Sequence, residues 1–330
     1  MNEYLIVAGL TVLITVILSR VALIKHFNFL LDKPDTIRKF HTRPTPLIGG
    51  LIILIVFFIY NLLMNQNYNF NFFLFLLIFF LLGFIDDIFN LSPYIKISVL
   101  ILIISFYKNY LFFEEVYFYE FGAVKLSFLG SYIFFTLSIL LFINASNMMD
   151  GIDGAAITYY IFLLLLLLIN ISSIPKNTFI ILLVIYSILL IFNLNKKIFI
   201  GDSGIYLSSI LFSYFIINEH KEGIVDHFKE SFFYAENIFL MMFLPGLDML
   251  RLFFYRAINK NSPFRADTNH FHHLLRFKFN SIMSLVIINF FYYFPILSSL
   301  FLDINKFLII IIFITIYSIF IIFLQNAKNN

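Results

Sequence analysis

Long apolar segments recur from one end of this chain to the other, each near the length at which a helix crosses ~30 Å of hydrocarbon. They lie at 4–24, 47–64, 70–88, 94–110, 129–147, 154–170, 177–194, 204–218, 233–257, 281–301 and 305–325. Of the 330 residues, 61% are hydrophobic and 12% charged, against a quarter charged in an ordinary soluble domain. A large soluble core is excluded. Hydrocarbon offers no water to backbone polar groups, so each spanning segment must be a helix. The expectation is an all-α polytopic membrane protein with about eleven transmembrane helices, organised as one integral membrane domain over 1–330. The first residues, Met1-Asn2-Glu3, lack the basic region and small-residue cleavage site of a signal peptide, so segment 4–24 reads as the first permanent span. With no cysteine, disulfides and thiolate chemistry are excluded. No basic tract for nucleic acid is present.

Most of the 22 Lys and Arg residues fall on one alternate set of loops. The positive-inside rule makes that set cytoplasmic, the N-terminus outer and the C-terminus inner. Segment 115–128 alternates around Gly122 and reads as a short β-hairpin on the outer side. Stretch 219–236 mixes acids, bases and aromatics and reads as lying along the outer interface.

The polar side chains that abut apolar runs collect on the basic side, which argues for one composite site at the inner membrane surface. Ionised groups there are costly and mark function. Asp86 and Asp87 end the third span. Adjacent helical residues point about 100° apart, so one should meet a ligand or metal while the other holds its neighbour. Asn144, Asn147, Asp150 and Asp153 are spaced three apart, one face if helical. They suit hydrogen bonding to a base or sugar, or a hard cation. Asp202 lies between Gly201 and Ser203-Gly204, as a metal ligand or a helix cap. Phe199 could stack on a flat base or simply pack. Asp248 and Arg251 follow. Arg265, Asp267, His270, His272 and His273 suit a phosphate-rich ligand. Zinc is the weaker alternative, because carboxylates and amides favour Mg²⁺. Arg43, with Arg38, Lys39 and His41, either attracts an anionic ligand or anchors the chain at the lipid surface.

Six segments in order, HTRPTPLIGG at 41–50, DD at 86–87, NASNMMDGIDG at 144–154, FIGDSG at 199–204, D-x-x-R at 248–251 and SPFRADTNHFHH at 262–273, resemble the polyprenyl-phosphate N-acetylhexosamine-1-phosphate transferases. The resemblance implies a cytoplasmic active-site cleft, Mg²⁺ with Mn²⁺ as the alternative, a UDP-sugar donor and a polyprenyl phosphate acceptor drawn from the bilayer. It implies metal binding by Asp202 with Asn147. Catalytic roles would fall to Asp86, Asp87, Asp150, His272 and His273. Donor or acceptor contacts would come from Arg43, Asn144, Asn147, Asp153, Phe199, Asp248, Arg251, Arg265, Asp267 and His270. Phe271 within the histidine motif points to the N-acetylhexosamine branch. Ile205 after GDSG and the missing proline before Phe199 depart from the family pattern, leaving open whether Asn193 or Asn195 contacts uridine. The implied place is the bacterial inner membrane, in the first membrane step of surface-glycan assembly. The oligomeric state stays open, a homodimer included. The rival reading is an ion-coupled transporter, which should carry mid-span polar residues and inverted repeats.

Overall fold

The computed structural model describes residues 2–34, 43–64, 70–170, 174–225, 232–263, 268–302 and 304–329. In chain order the elements are α1 (Asn2–Ala22), a 3₁₀ segment (Lys25–Leu30), β1 (Leu31–Asp32), β2 (Thr45–Pro46), α2 (Gly49–Leu63), α3 (Phe70–Phe89), α4 (Pro93–Phe106) and α5 (Lys108–Leu111). They continue with β3 (Glu115–Phe118), β4 (Gly122–Lys125), α6 (Phe128–Met149), α7 (Ala155–Asn170), α8 (Lys176–Leu194) and α9 (Gly201–Val225). The last are α10 (Ala235–Met241), α11 (Phe243–Ile258), α12 (Phe271–Lys278), α13 (Ser281–Phe301) and α14 (Lys306–Asn329).

Every apolar run read from the sequence is helical. Among the described residues six helices, α1, α3, α6, α8, α13 and α14, are long and apolar enough to cross a membrane. The run read as one span over 233–257 is instead α10 and α11, bent by 76° at Met242, and would make a seventh if counted as a single broken span. Pro245, early in α11, has no backbone N–H to offer the carbonyl of Met241, which removes one restraint on a straight helix at that place. Helices α2, α4 and α7 are apolar but shorter. The molecule is a multi-pass membrane protein.

The chain divides into two compact units, residues 1–112 with 156–219, and residues 113–155 with 220–330. In the first unit α1 and α2 pack on α8, and α2 packs on α3. Its core is aromatic, with Phe75, Phe79, Tyr160, Tyr186 and Phe212 fully buried. The tyrosine hydroxyls find partners across helices: Tyr160 pairs with Ser209 at 3.0 Å and Tyr186 with Ser208 at 2.6 Å. An unpaired hydroxyl would be costly in so apolar a setting. The strands β1 and β2 pair antiparallel, Leu31 opposite Pro46, and the chain then bridges Leu47 to Phe199.

In the second unit α11 packs on α6, α12 and α13 pack on α14, and α10 packs on α13. The hairpin expected near Gly122 is β3–β4, with Gly122 at φ +74° opening the second strand. Two buried side chains fasten it. His220 Nε2 accepts the Tyr117 N–H at 3.2 Å while its Nδ1–H donates to the Phe233 carbonyl at 2.6 Å. Glu236 accepts the Tyr119 N–H at 3.0 Å. Of the stretch read as interfacial, 219–225 continues α9, 235–236 begins α10, and 226–231 lies outside the described residues.

Candidate functional site

In the first unit the FIGDSG segment is fixed by main chain. Phe199 N–H donates to the Pro46 carbonyl at 2.8 Å, and Gly49 and Gly50 N–H donate to the carbonyls of Phe199 and Ile200 at 3.0 and 3.1 Å. These are free N–H groups at the start of α2, so the helix end satisfies them on the segment it holds. The approach is too close for side chains. A Cβ on Gly49 would sit 2.6 Å from Ile200 Cα, one on Gly83 2.5 Å from the Asp202 carbonyl oxygen, and one on Gly50 would overlap Gly204. The PTPLIGG stretch is thus a structural clamp. Arg43 stands exposed at its entrance, its carbonyl accepting from Thr45 Oγ1 at 3.1 Å.

Gly201 turns the chain at φ +71°, and α9 begins there. Asp87 caps it: Oδ1 accepts the Asp202 N–H at 2.8 Å and Oδ2 the Ser203 N–H at 3.0 Å. A carboxylate suits the positive end of a helix. Asp86 is buried, 1% exposed. It accepts the Leu91 N–H at 2.9 Å and the Tyr206 hydroxyl at 3.3 Å, and forms an ion pair with Lys96 on α4. Lys96 also lies 3.9 Å from Asp202 Oδ2. The side chain of Asp202 is 30% exposed. The unit therefore gathers three carboxylates and one ammonium around the start of α9. Asn193, one of the two asparagines weighed for uridine, is buried and closes the α8–α9 turn by donating to the Ile198 carbonyl at 3.0 Å. Asn195 is exposed, its amide turned back to the Ile191 carbonyl at 2.7 Å.

Among the described residues no set of three or more acids and histidines is arranged to hold a metal ion. Mg²⁺ needs less than that: it keeps several waters and is commonly held by one or two carboxylates together with substrate phosphates. Asp202, with a hard oxygen donor part-open beside two committed acids, fits that mode.

In the second unit Asn144 and Asn147 lie on the last turns of α6, and Asn144 Nδ2 donates back to the Leu140 carbonyl at 2.7 Å. The helix stops at Met149. Asp150 is its C-cap and Asp153 sits in the following turn, closed by Gly154 at φ +87°. The helical face expected of all four residues therefore holds for the two asparagines only.

Asp248 is the hub of the histidine motif. It is 2% exposed. Oδ1 accepts from Arg251 Nη2 at 2.7 Å and from the Tyr317 hydroxyl at 2.7 Å. Oδ2 accepts the Phe271 N–H at 3.2 Å, capping α12 from a neighbouring helix, and faces His270 Nδ1 at 3.3 Å. Arg251 Nη2 also donates to the Asn269 carbonyl at 2.7 Å, and Arg256 to the Pro263 carbonyl at 2.7 Å. Arg256 Nη2 meets His270 Nε2 at 3.4 Å. Arginine has no acceptor, so Nε2 must accept and the proton sits on Nδ1. His270, expected to touch substrate, has both ring nitrogens committed inward and anchors the motif.

His272 stacks on His270 at 5.6 Å between centroids and lies 4.2 Å from the ring of His273. Its imidazole lies over Gly151, where any Cβ would collide with it. The motif thereby meets the turn that carries Asp150 and Asp153. Burial, then the neighbouring rings of His273 and His270, hold the His272 imidazole well below the usual histidine value. It is neutral at pH 7 and serves as a hydrogen-bonding group there. Arg265 and Asp267, like Arg38, Lys39 and His41, lie outside the described residues.

Lys96, Tyr206, Arg256 and Tyr317 escaped the sequence reading. In the sequence Lys96 is one more lysine on the basic side. A buried acid nine or ten positions upstream in need of a counter-charge was the available signal.

Residues 69–219, which carry the two aspartates of α3, the α6–α7 turn and the FIGDSG segment, match the sequence model of glycosyl transferase family 4. The resemblance read from the six motifs is borne out. The relatives are specific: the chain is 28% identical over 264 residues to the undecaprenyl-phosphate alpha-N-acetylglucosaminyl 1-phosphate transferase of Thermotoga maritima, covering 78% of this chain and 77% of the relative. The enzyme of the same name from Escherichia coli K12 is 26% identical over 279 residues, covering 78% and 72%. Neither comparison points to a transporter.

Proposed function

We propose that this chain transfers an N-acetylhexosamine-1-phosphate from a UDP-sugar to polyprenyl phosphate at the cytoplasmic face of a bacterial inner membrane, with the N-terminus outside and the C-terminus inside. A phosphate oxygen of the acceptor attacks the β-phosphorus of the donor. The bond from that phosphorus to the bridging oxygen breaks, UMP leaves with the electron pair, and the polyprenyl diphospho-sugar stays in the membrane. Such transfer depends on alignment and charge neutralisation.

The observation that carries the reading is the start of α9, where Asp87 spends one carboxylate oxygen on the Asp202 N–H and the other on the Ser203 N–H while the Asp202 side chain stays part-open beside Lys96. Asp202 is the residue we assign to Mg²⁺, which when bound would neutralise the donor diphosphate. Lys96, held in place by Asp86, orients the acceptor phosphate. His272 and His273 donate hydrogen bonds to the donor diphosphate and sugar, and the ring of Phe199 stacks on uracil. Direct attack is preferred to an aspartyl-phosphate intermediate, because Asp86 and Asp87 have their oxygens engaged by other groups.

The test is purified full-length chain incubated with Mg²⁺, a polyprenyl phosphate and a panel of UDP-sugars, scored for UMP and for a lipid-linked sugar. Asp202→Asn should abolish both products without unfolding the protein. Unchanged turnover in that variant would remove the metal role. Sugar transport into liposomes without UMP release would remove the enzyme.

A further inference from the structure

Tyr317 lies halfway along α14, about 17 Å from either end of that helix. It is 1% exposed. There it donates to Asp248 Oδ1 at 2.7 Å and accepts from Arg251 Nε at 3.0 Å. Its ring packs on Phe271 at 5.6 Å and on Phe291 at 5.9 Å.

A buried carboxylate–guanidinium pair is stable only when its remaining lone pairs and N–H groups are met. Asp248 and Arg251 hold one another, but they also hold the histidine motif. Asp248 binds the Phe271 N–H and His270, and Arg251 binds the Asn269 carbonyl. Tyr317 is the single residue outside α11 and the motif that touches both members of this pair in the described hydrogen bonds. It donates to the same oxygen, Oδ1, that accepts from Arg251 Nη2, so two donors on different helices together fix the rotation of the carboxylate. That rotation sets where Oδ2 stands, and Oδ2 sets the first turn of α12, the turn that presents His272 and His273.

The geometry points to Tyr317 as a positioning residue for donor binding, acting through Asp248 on the histidine pair. The inference deepens the proposed transferase reading and rests on it. The last helix is then part of the binding machinery, and its tyrosine reaches the substrate only through two intervening groups.

The experiment is a pair of full-length variants, Tyr317→Phe and Asp248→Asn, assayed beside the unaltered protein. Phenylalanine keeps the ring contacts with Phe271 and Phe291 and deletes only the hydroxyl. Losing a hydrogen bond to a charged group corresponds to about a tenfold change. Tyr317→Phe should raise KM for the UDP-sugar about tenfold, and weaken its direct binding by calorimetry equally, with KM for polyprenyl phosphate within about twofold of unaltered protein. A merely structural effect would lower the active fraction, and so kcat, and leave both KM values in place. Combined with Asp248→Asn, the tyrosine change should add little, because both act through one carboxylate. Unchanged KM and unchanged calorimetric affinity in Tyr317→Phe overturn the inference while leaving the transferase reading intact. Unaltered protein that neither binds a UDP-sugar nor releases UMP overturns both.

Discussion

The carboxylate of Asp87 accepts the backbone N–H of Asp202 at 2.8 Å, so one acid of the site is held in place by another. The two residues are far apart in the chain and do different work. Asp87 is a cap, and its second oxygen takes the Ser203 N–H. Asp202 is the acid left facing outward.

These different roles predict opposite stability changes. Asp87→Asn keeps one acceptor oxygen and loses the charge at the helix start, which should cost about 1–2 kcal/mol. Asp202→Asn removes one of three crowded carboxylates and should leave the thermal midpoint unchanged or raise it, while turnover is lost. Thermal unfolding in detergent, read alongside UMP release, checks both. A lower midpoint for Asp202→Asn than for Asp87→Asn would refute the assignment.

Lys96 neutralises Asp86 in a buried place. Lys96→Met should destabilise by about 3–5 kcal/mol, because it strands a carboxylate without its counter-charge. Adding Asp86→Asn to that variant should restore much of the loss. The comparison of midpoints across the two single changes and the double change is the measurement.

The apolar runs, their helical nature and many of their ends could be read directly, because a bilayer demands a simple length and a simple composition, although α9 runs to Val225 where 218 was expected. α6 was expected over 129–147 and runs Phe128–Met149. The acids and histidines were legible too, since charge beside apolar sequence is conspicuous. What stayed hidden depends on pairing across the chain. Tyr317 is one of 19 tyrosines and has nothing local to mark it. Gly50 and Gly83 carry nothing local to mark them, yet each is a place where two backbones touch. The break at Met242 was missed because 233–257 has the right length for one span.

Those glycines give a third prediction. Gly83→Ala would press on the Asp202 carbonyl, which is main chain and cannot swing aside. It should cost about 1–3 kcal/mol and reduce turnover by displacing Asp202. Gly9→Ala on α1 meets nothing within 4 Å and should be neutral, or stabilising by about 0.5–1 kcal/mol through helix propensity. Paired melting curves decide it, and equal midpoints would count against the clamp.

His272 sets a pH dependence. Its folded value is lowered, so above the unfolded value of about 6.5 both states are neutral and its contribution to stability is complete. As pH falls below that, the unfolded chain takes up a proton that the folded chain refuses, and stability is lost. The melting temperature should therefore decline between about pH 6.5 and 5, and decline less in His272→Gln. Parallel slopes for the two proteins would show that the imidazole is not held neutral.

Position 199 has a consequence for redesign. Its N–H and carbonyl are the rungs that join it to Pro46 and Gly49, and neither involves the ring. The backbone of the residue is in effect a fixed seat for whatever side chain it carries. A histidine, leucine or tyrosine placed there would be presented from the same spot, with Asp202 three residues on keeping its address. On the proposed reading of Phe199 as the ring that stacks on uracil, retuning which flat heterocycle the chain accepts would be separable from the chemistry performed on the phosphates.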